Sequence, residues 1–389
     1  MSRIYEFFST PQGEVKPALF IVLFVVALLL TLLFTKFTLA FALKKKLFGP
    51  VGGRHIGNRQ IPRLGGAALV AAFALTAVLA AFLNPTVAKE FLQPQTLAIF
   101  GGLLIVAVLG VVDDLLQLSW ATKFVFQIVA SCLVIGNGIV IAKITNPFGP
   151  TLDFYPWMAI AFTLIWLVGI TNAINLSDGL DGLCGGIIFI VAAVIFVNSR
   201  ILAHTRPEQF TLFIFPSVVC AIVLGAVLGF LRYNFYPAKI FLGDGGALFL
   251  GFLVACMAIR SSQISATSVA LLVPIIALGL PILDTTLAFL RRTVRRENPF
   301  QSDAQHIHHK IMYSGLTHPE TVLVLYGFCL LLGLAALALS LRSNQYAGII
   351  LVVLTIVILL GFKKFGVLDV TRLWGVRRRG DMEEPKKDE

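Results

Sequence analysis

Charged residues are scarce in this chain, and the scarcity limits the class of protein it can be. Of its 389 residues only 13% are charged, whereas 58% are hydrophobic and the mean hydropathy is +0.89. A water-soluble domain normally carries roughly a quarter of its residues as charges. The composition therefore excludes an ordinary water-soluble globular protein and indicates that the lipid bilayer is the solvent.

Cysteine is also scarce, and the five cysteines stand singly in apolar segments. No pair has the spacing of a metal-binding or redox motif, so we interpret them as small core residues. Linkers rich in Pro, Ser or Gly are absent, as are internal repeats. These absences favour one membrane domain over residues 1–362, followed by a charged cytoplasmic tail over residues 363–389.

Long apolar runs recur along almost the whole chain, each with enough residues to cross a hydrocarbon core of about 30 Å as a helix. They predict an all-α integral membrane protein, a polytopic bundle of about eleven transmembrane helices. The eleven predicted spans are 18–43, 65–83, 95–112, 124–142, 157–174, 183–203, 210–231, 246–260, 267–290, 321–341 and 346–362.

The net charge of +11 could suggest nucleic-acid binding, but the positions of the basic residues have a simpler explanation. Most Lys and Arg residues fall in alternate linkers and in the tail, with clusters at Lys44–Lys46, Arg291–Arg296 and Arg377–Arg379. This is the positive-inside pattern of membrane proteins. It predicts an N-terminus outside, a C-terminus in the cytoplasm and no nucleic-acid partner.

Two adjacent carboxylates, Asp113 and Asp114, end the third apolar run. They repel each other at a membrane surface unless a cation or a proton is shared between them. A divalent metal or a cationic substrate group would serve, although a solvated helix end is the alternative. Lys123 follows at the start of the next run, where it either contacts a phosphate or marks the inner boundary.

The segment from Asn172 to Leu183 is more specific, because Asn172, Asn175, Asp178 and Asp181 recur at a spacing of three residues. In a helix they would follow one slowly drifting face. Two amides and two carboxylates between apolar runs suit sugar hydroxyls, a uracil edge or a hydrated metal. A polar helix terminus is the simpler alternative.

Two later linkers carry further polar groups. Lys239 and Asp244 share one loop, where glycines leave backbone amides open just before a helix that could face phosphate. His306, His308 and His309 lie in a basic linker, which favours an anion over zinc, although a solvated basic loop is the alternative. Asp284, inside the ninth run, is either functional or a structural partner of a neighbouring helix.

Together these motifs resemble the polyprenyl-phosphate N-acetylhexosamine-1-phosphate transferases of glycosyltransferase family 4. Five segments occur in the family's order, on the predicted inner face: Pro62–Gly66, Asp113–Asp114, Asn172–Leu183, Gly243–Gly245 and His306–His309. The His-Ile-His-His form is similar to the WecA and TagO branch rather than the related MraY branch.

The resemblance implies transfer of N-acetylglucosamine 1-phosphate from UDP-N-acetylglucosamine to undecaprenyl phosphate at the cytoplasmic face of a bacterial plasma membrane. UMP is released, and the lipid-linked product initiates cell-envelope polysaccharide or teichoic acid synthesis. Another UDP-N-acetylhexosamine or UDP-N-acetylmuramoyl pentapeptide is the alternative donor. A lipid or solute transporter is the rival class, but it would place ionisable groups in mid-membrane.

The resemblance also implies Mg²⁺, with Mn²⁺ as a possible substitute, and a possible homodimer. We expect Asp244 and Asp113 to hold the metal, Asp114 to assist, and His308 to serve catalysis. The expected substrate contacts are Asn172, Asn175, Asp178, Asp181, Lys123, Lys239, Arg291, His306 and His309.

Overall fold

The computed structural model describes residues 15–48, 61–144, 152–263, 272–296 and 306–341, and eight of the positions between 353 and 363. Within these ranges the chain is almost entirely helical. In chain order the helices are α1 (Pro17–Lys45), α2 (Gly65–Leu83), α3 (Pro85–Phe91), α4 (Pro94–Leu116), α5 (Trp120–Gly136), α6 (Pro156–Ser177), α7 (Leu183–Thr205), α8 (Phe210–Asn234), α9 (Gly243–Gln263), α10 (Leu272–Ala277), α11 (Gly279–Arg295), α12 (Ile307–Tyr313) and α13 (His318–Leu341).

Eight of the described helices are long and apolar enough to cross a membrane, which confirms the prediction of a polytopic helical membrane protein. They are α1, α2, α4, α6, α7, α8, α9 and α13. The expected count of eleven is not reached. The fourth predicted span is the 17-residue helix α5, and most of the eleventh lies outside the described residues.

The ninth predicted span, 267–290, is not one continuous helix. The described part consists of α10 and α11, which are separated at Leu278. Proline explains the break, because Pro281 has no N–H to donate to the Ala277 carbonyl and its ring would crowd that oxygen. The predicted span is therefore interrupted at Leu278, and α11 begins there as a separate helix.

A small antiparallel ribbon is the one sheet among the residues described. Its strands are β1 (Lys143–Ile144) and β2 (Leu152–Asp153), and Lys143 pairs in register with Asp153. Their side chains form an ion pair of 3.2 Å, but both are about 70% exposed, so the pair contributes little stability.

Helix α9 is the axis of the bundle. It is buried along nearly its whole length and packs against α2, α4 and α6, while α8 lies between α1 and α7. The outer helices show large apolar side chains on their free faces, such as Phe37, Leu104 and Ile165, each at least 63% exposed. Such faces suit contact with lipid, and the polar residues are left for the helix ends.

The Pro62–Gly66 motif joins the start of α2 to the loop that leads into α9. Phe241 N–H donates to the Pro62 carbonyl (2.8 Å), and Gly66 N–H donates to the Leu242 carbonyl (2.7 Å). A Cβ atom at Gly66 would overlap the backbone of Gly246. Glycine is therefore needed here because two backbones are in contact, and this contact fixes where α9 begins.

We expect Gly66→Ala to destabilise the protein by about 1–3 kcal/mol, the usual cost of overpacking, because rigid backbone stands in the way. Thermal unfolding of the detergent-purified protein measures the loss. The matched control is Gly327→Ala in α13, where a Cβ atom meets nothing within 4 Å and alanine favours the helix. Equal unfolding temperatures for the two variants would contradict the packing argument.

Candidate active site

Three charged side chains from three helices meet at one end of the bundle. The Lys123 ammonium of α5 lies 3.1 Å from Asp113 Oδ2 at the end of α4 and 2.8 Å from Asp244 Oδ2 at the start of α9. The two carboxylates are also within hydrogen-bonding reach of each other. Side chains up to 131 positions apart in sequence thus form one compact group, here called the carboxylate cluster.

Local hydrogen bonds hold this cluster in place. Asp113 is only 7% exposed, and its second oxygen accepts the backbone N–H of Leu118 (2.7 Å) in the turn that ends α4. The Asn175 side chain of α6 also lies beside the Asp244 carboxylate. Two carboxylates this close repel each other strongly at low dielectric, so the cluster requires the positive charge of Lys123, another cation or a shared proton.

Asp114 has a different role from its neighbour. Its two oxygens accept the backbone N–H groups of Asp244 (2.8 Å) and Gly245 (3.0 Å), the first residues of α9. A carboxylate at this place satisfies donors that have no partner within the helix and complements the positive end of the helix dipole. Asp114 therefore fixes α9 against α4 and so aims Asp244.

The carboxylate cluster has the donor chemistry of a magnesium site. No ready-made group of three or more His, Cys, Asp or Glu ligands occurs among the described residues. Asp113 and Asp244 nevertheless each point one oxygen at the Lys123 ammonium. Carboxylate oxygens are the ligands that Mg²⁺ prefers, usually one or two together with waters and substrate phosphates.

The first half of the predicted Asn172–Asp181 face lies on α6. Asn172 forms an amide pair with Gln127 of α5, donating to Gln127 Oε1 at 2.6 Å, and it also donates to the Val168 carbonyl. Gln127 is 1% exposed and was not predicted. Its only sequence signal is an amide inside an apolar run, which demands a partner once buried.

The second half of that face is not helical. Helix α6 ends at Ser177, so Asp178 and Asp181 lie in the turn that follows. This corrects the expectation that all four polar residues share one face of a helix. The Asp181 carboxylate accepts the backbone N–H of Ala238 (2.9 Å), and its own N–H donates to His318 Nε2 (3.1 Å). Asp181 therefore ties the turn to the loop before α9, while Asp178 is half-buried nearby.

Asn234 and His318 also shape this region, although the sequence did not single them out. The Asn234 side-chain oxygen Oδ1 accepts the backbone N–H of Gly182 (3.1 Å), and its side-chain Nδ2 donates to the Ile240 carbonyl (3.0 Å). Lys239 of the same loop has an exposed side chain. The loop is thus held by buried amides and displays its lysine to solvent.

The histidine block stands at the start of α12. His308 is 3% exposed, and its ring covers Gly179, where an added Cβ atom would lie 2.5 Å from Nε2. His306 is buried behind it, and its Nδ1 lies 3.1 Å from Asp284 Oδ2. His309 is half-buried. The structure therefore brings His308 beside the Asn172–Asp181 segment.

Arg291 of α11 is only 6% exposed and lies about two helical turns after Asp284. The two residues share roughly one face of α11. A buried guanidinium is always charged and is costly without partners, so it belongs to the polar end of the bundle and not to its lipid-facing surface.

Carboxylates, amides, a lysine and imidazoles thus converge at one end of a multi-pass helical bundle. Such a site has oxygen ligands for a divalent cation and donors for phosphate and sugar groups. These features define the class: a membrane-embedded enzyme with a polar site for a phosphorylated substrate.

Comparison with known proteins specifies the family. Residues 96–262 match the model of glycosyl transferase family 4. The chain is 35% identical over 320 residues to a probable undecaprenyl-phosphate N-acetylglucosaminyl 1-phosphate transferase of Bacillus subtilis, covering 82% of this chain and 85% of that protein. The chain therefore belongs to glycosyl transferase family 4.

Two other relatives show the breadth of the family. A decaprenyl-phosphate N-acetylglucosaminephosphotransferase of Mycolicibacterium smegmatis is 34% identical over 70% of each chain. A phospho-N-acetylmuramoyl-pentapeptide-transferase of Listeria innocua is 30% identical over 63% of this chain and 74% of its own. The similarity is therefore longer and higher for the proteins named for N-acetylglucosamine.

We expect Asp114→Ala to cost about 1–2 kcal/mol of stability, the usual effect of losing a helix cap. Activity should fall as well, because the start of α9 positions Asp244. The matched control is Asn84→Ala, which removes the cap of α3 at the opposite end of the bundle, where Asn84 accepts from Thr86 and Val87 N–H. Thermal unfolding and turnover should separate the variants: both lose stability, and only Asp114→Ala loses activity beyond that.

Proposed function

We propose that this protein transfers N-acetylglucosamine 1-phosphate from UDP-N-acetylglucosamine to undecaprenyl phosphate, releasing UMP and forming a lipid-linked diphospho-sugar. The observation that carries the proposal is the carboxylate cluster, in which Asp113, Lys123 and Asp244 converge at a helix end. The names of the Bacillus and Mycolicibacterium relatives support the same donor sugar and a polyprenyl phosphate acceptor.

The reaction forms one P–O bond and breaks another. An oxygen of the lipid phosphate attacks the β-phosphorus of the UDP-sugar, and the bond from that phosphorus to the oxygen bridging to the α-phosphate breaks, so UMP leaves. Phosphoryl transfer depends mainly on positioning and charge neutralisation. A phosphate monoester has a second pKa of about 6, so the nucleophile is mostly deprotonated at neutral pH.

Asp244 and Asp113 are the residues that would hold Mg²⁺, or Mn²⁺ in its place. The bound metal neutralises charge on the diphosphate. Lys123 lies within 3.1 Å of both carboxylates and at the headgroup end of α5, so with a cation on the carboxylates its ammonium would be able to hold the phosphate of the lipid. Asp113 can in addition accept a residual proton from the lipid phosphate.

Donor recognition falls to the segment that follows α6 and to the histidine block. We assign Asn175, which lies beside Asp244, and the half-buried Asp178 to the sugar or the nucleotide, while Asn172 is held in place by its amide pair with Gln127. His308 and His309 donate to the diphosphate, and Lys239 and Arg291 add positive charge. Asp181 shapes this pocket through its bond to Ala238.

The active-site end of the bundle faces the cytoplasm of a bacterium in this proposal. It is the end that carries Lys44–Lys46 and Arg291–Arg292, and basic residues concentrate on the cytoplasmic side of membrane proteins. The cytoplasm is also where UDP-sugars are made. The possible homodimer stays a prediction.

The direct test is UMP release from purified protein supplied with undecaprenyl phosphate and Mg²⁺. We expect release that requires both lipid and metal, and a higher kcat/KM with UDP-N-acetylglucosamine than with UDP-N-acetylgalactosamine or UDP-N-acetylmuramoyl pentapeptide. Preference for the pentapeptide donor would overturn the sugar assignment. No UMP from folded protein with any donor would reject the reaction and favour the transporter alternative.

Asp113→Asn should lower kcat by about 10²–10³-fold yet leave measurable turnover, because the nucleophile needs no strong base. Asp244→Asn should lower it further and raise the Mg²⁺ concentration required. The matched control is Asp153→Asn, which removes an exposed carboxylate of the β-ribbon. Complete loss in Asp113→Asn at every pH, with metal binding intact, would instead favour a covalent or obligatory-base role.

A further inference from the structure

Asp284 is a buried carboxylate that the proposed reaction does not use. It lies on α11, is 8% exposed, and directs both oxygens at the start of α12. Oδ2 lies 3.1 Å from His306 Nδ1, and Oδ1 accepts the backbone N–H of Ile307 at 2.8 Å. A buried carboxylate is very costly without such partners, so this contact holds α11 and α12 together.

The contact also decides how His306 is used. A carboxylate can only accept hydrogen bonds, so the His306 nitrogen facing it, Nδ1, carries the proton. His306 is 5% exposed and gives no side-chain cap to its own helix. Asp284 supplies that cap instead, through Ile307. The orientation of α12 is therefore set from α11 and not from within α12.

The same turn determines where His308 lies. The His308 ring packs over Gly179, and the cavity between Ser177, Asp284 and His308 measures only about 10 Å³. A cavity of that size holds at most about one water. His308 thus has little room to move, and a shift of α12 would carry it away from Asp178 and the end of α6.

We infer that Asp284 is a positioning residue that acts through His306, and that His306 serves the reaction by its Nδ1 contact with Asp284 and not by binding the diphosphate. Asp284 holds His306 at the start of α12, and α12 in turn places the His308 imidazole beside the segment that follows α6. This inference rests on the proposed function and revises one expected substrate contact, His306. It leaves His308 and His309 as the imidazoles that meet the donor.

Two substitutions at position 306 separate the two roles of the ring. Asn places an N–H donor where Nδ1 stands, whereas Gln places its amide where Nε2 stands. If His306 acts through Asp284, His306→Asn keeps a kcat/KM at least about 10-fold above that of His306→Gln. If His306 bound the diphosphate through Nε2, the order would be reversed, and the inference would be wrong.

Asp284 itself is tested with two variants and a double mutant. Asp284→Asn keeps a hydrogen-bond acceptor for Ile307 N–H. It should raise the KM for the UDP-sugar by about 10-fold or more with a smaller change in kcat, because the side chains that contact the UDP-sugar are displaced. Asp284→Ala should be worse. Asp284→Ala combined with His306→Ala should be no worse than Asp284→Ala alone, since the two residues act as one unit.

The matched control is Glu90→Gln. Glu90 lies 3.0 Å from Arg260 in another buried ion pair, whose side chains are 12% and 6% exposed, at the opposite end of the bundle. It should lower the unfolding temperature and leave the KM for the UDP-sugar unchanged. An unaltered KM and kcat in Asp284→Asn, or additive losses in the double mutant, would overturn the positioning role. Absence of UMP release by the wild-type protein would instead reject the proposed function itself.

Discussion

The rest of the site depends on one interaction, in which the Lys123 ammonium contacts the carboxylates of Asp113 and Asp244. Each charge comes from a different helix, and the three lie at the end of a bundle whose surroundings are apolar. Charges in such a place are tolerated only when they are paired. The ends of α4, α5 and α9 must therefore meet, and they bring two carboxylates and an ammonium together where the proposed reaction would place a metal ion and a phosphate.

Helix α9 turns that local contact into a property of the whole bundle. It is buried between α2, α4 and α6, its backbone touches α2 at Gly66, and Asp114 caps its first turn. A close-packed helix of this kind cannot shift without moving its neighbours. The position of Asp244 is accordingly as rigid as the bundle, which is what a reaction governed by positioning and charge neutralisation requires.

The segment after α6 connects the two functional halves. Asn175 lies beside Asp244 on one side, and Gly179 lies against His308 on the other. Asp284 then links the histidine block to α11, so carboxylates, amides and imidazoles form a continuous arrangement across four helices. Buried polar groups with no water nearby need protein partners, and here those partners are one another.

The sequence by itself determined the membrane class, most of the helix positions and the polar segments of the site. Long apolar runs mark helices that can cross a bilayer, and charged residues among such runs are costly unless they have a function or a partner. It did not reveal the interruption of the ninth span at Leu278, since Pro281 counts little in a hydropathy pattern but removes a helix donor. Only the tertiary structure decided that Asp114 caps α9 while Asp113 faces Lys123, that Gln127 pairs with Asn172, and that Asp284 holds His306. Each of these depends on which atoms of distant residues come within about 3 Å, and residue spacing along a chain carries no such distance.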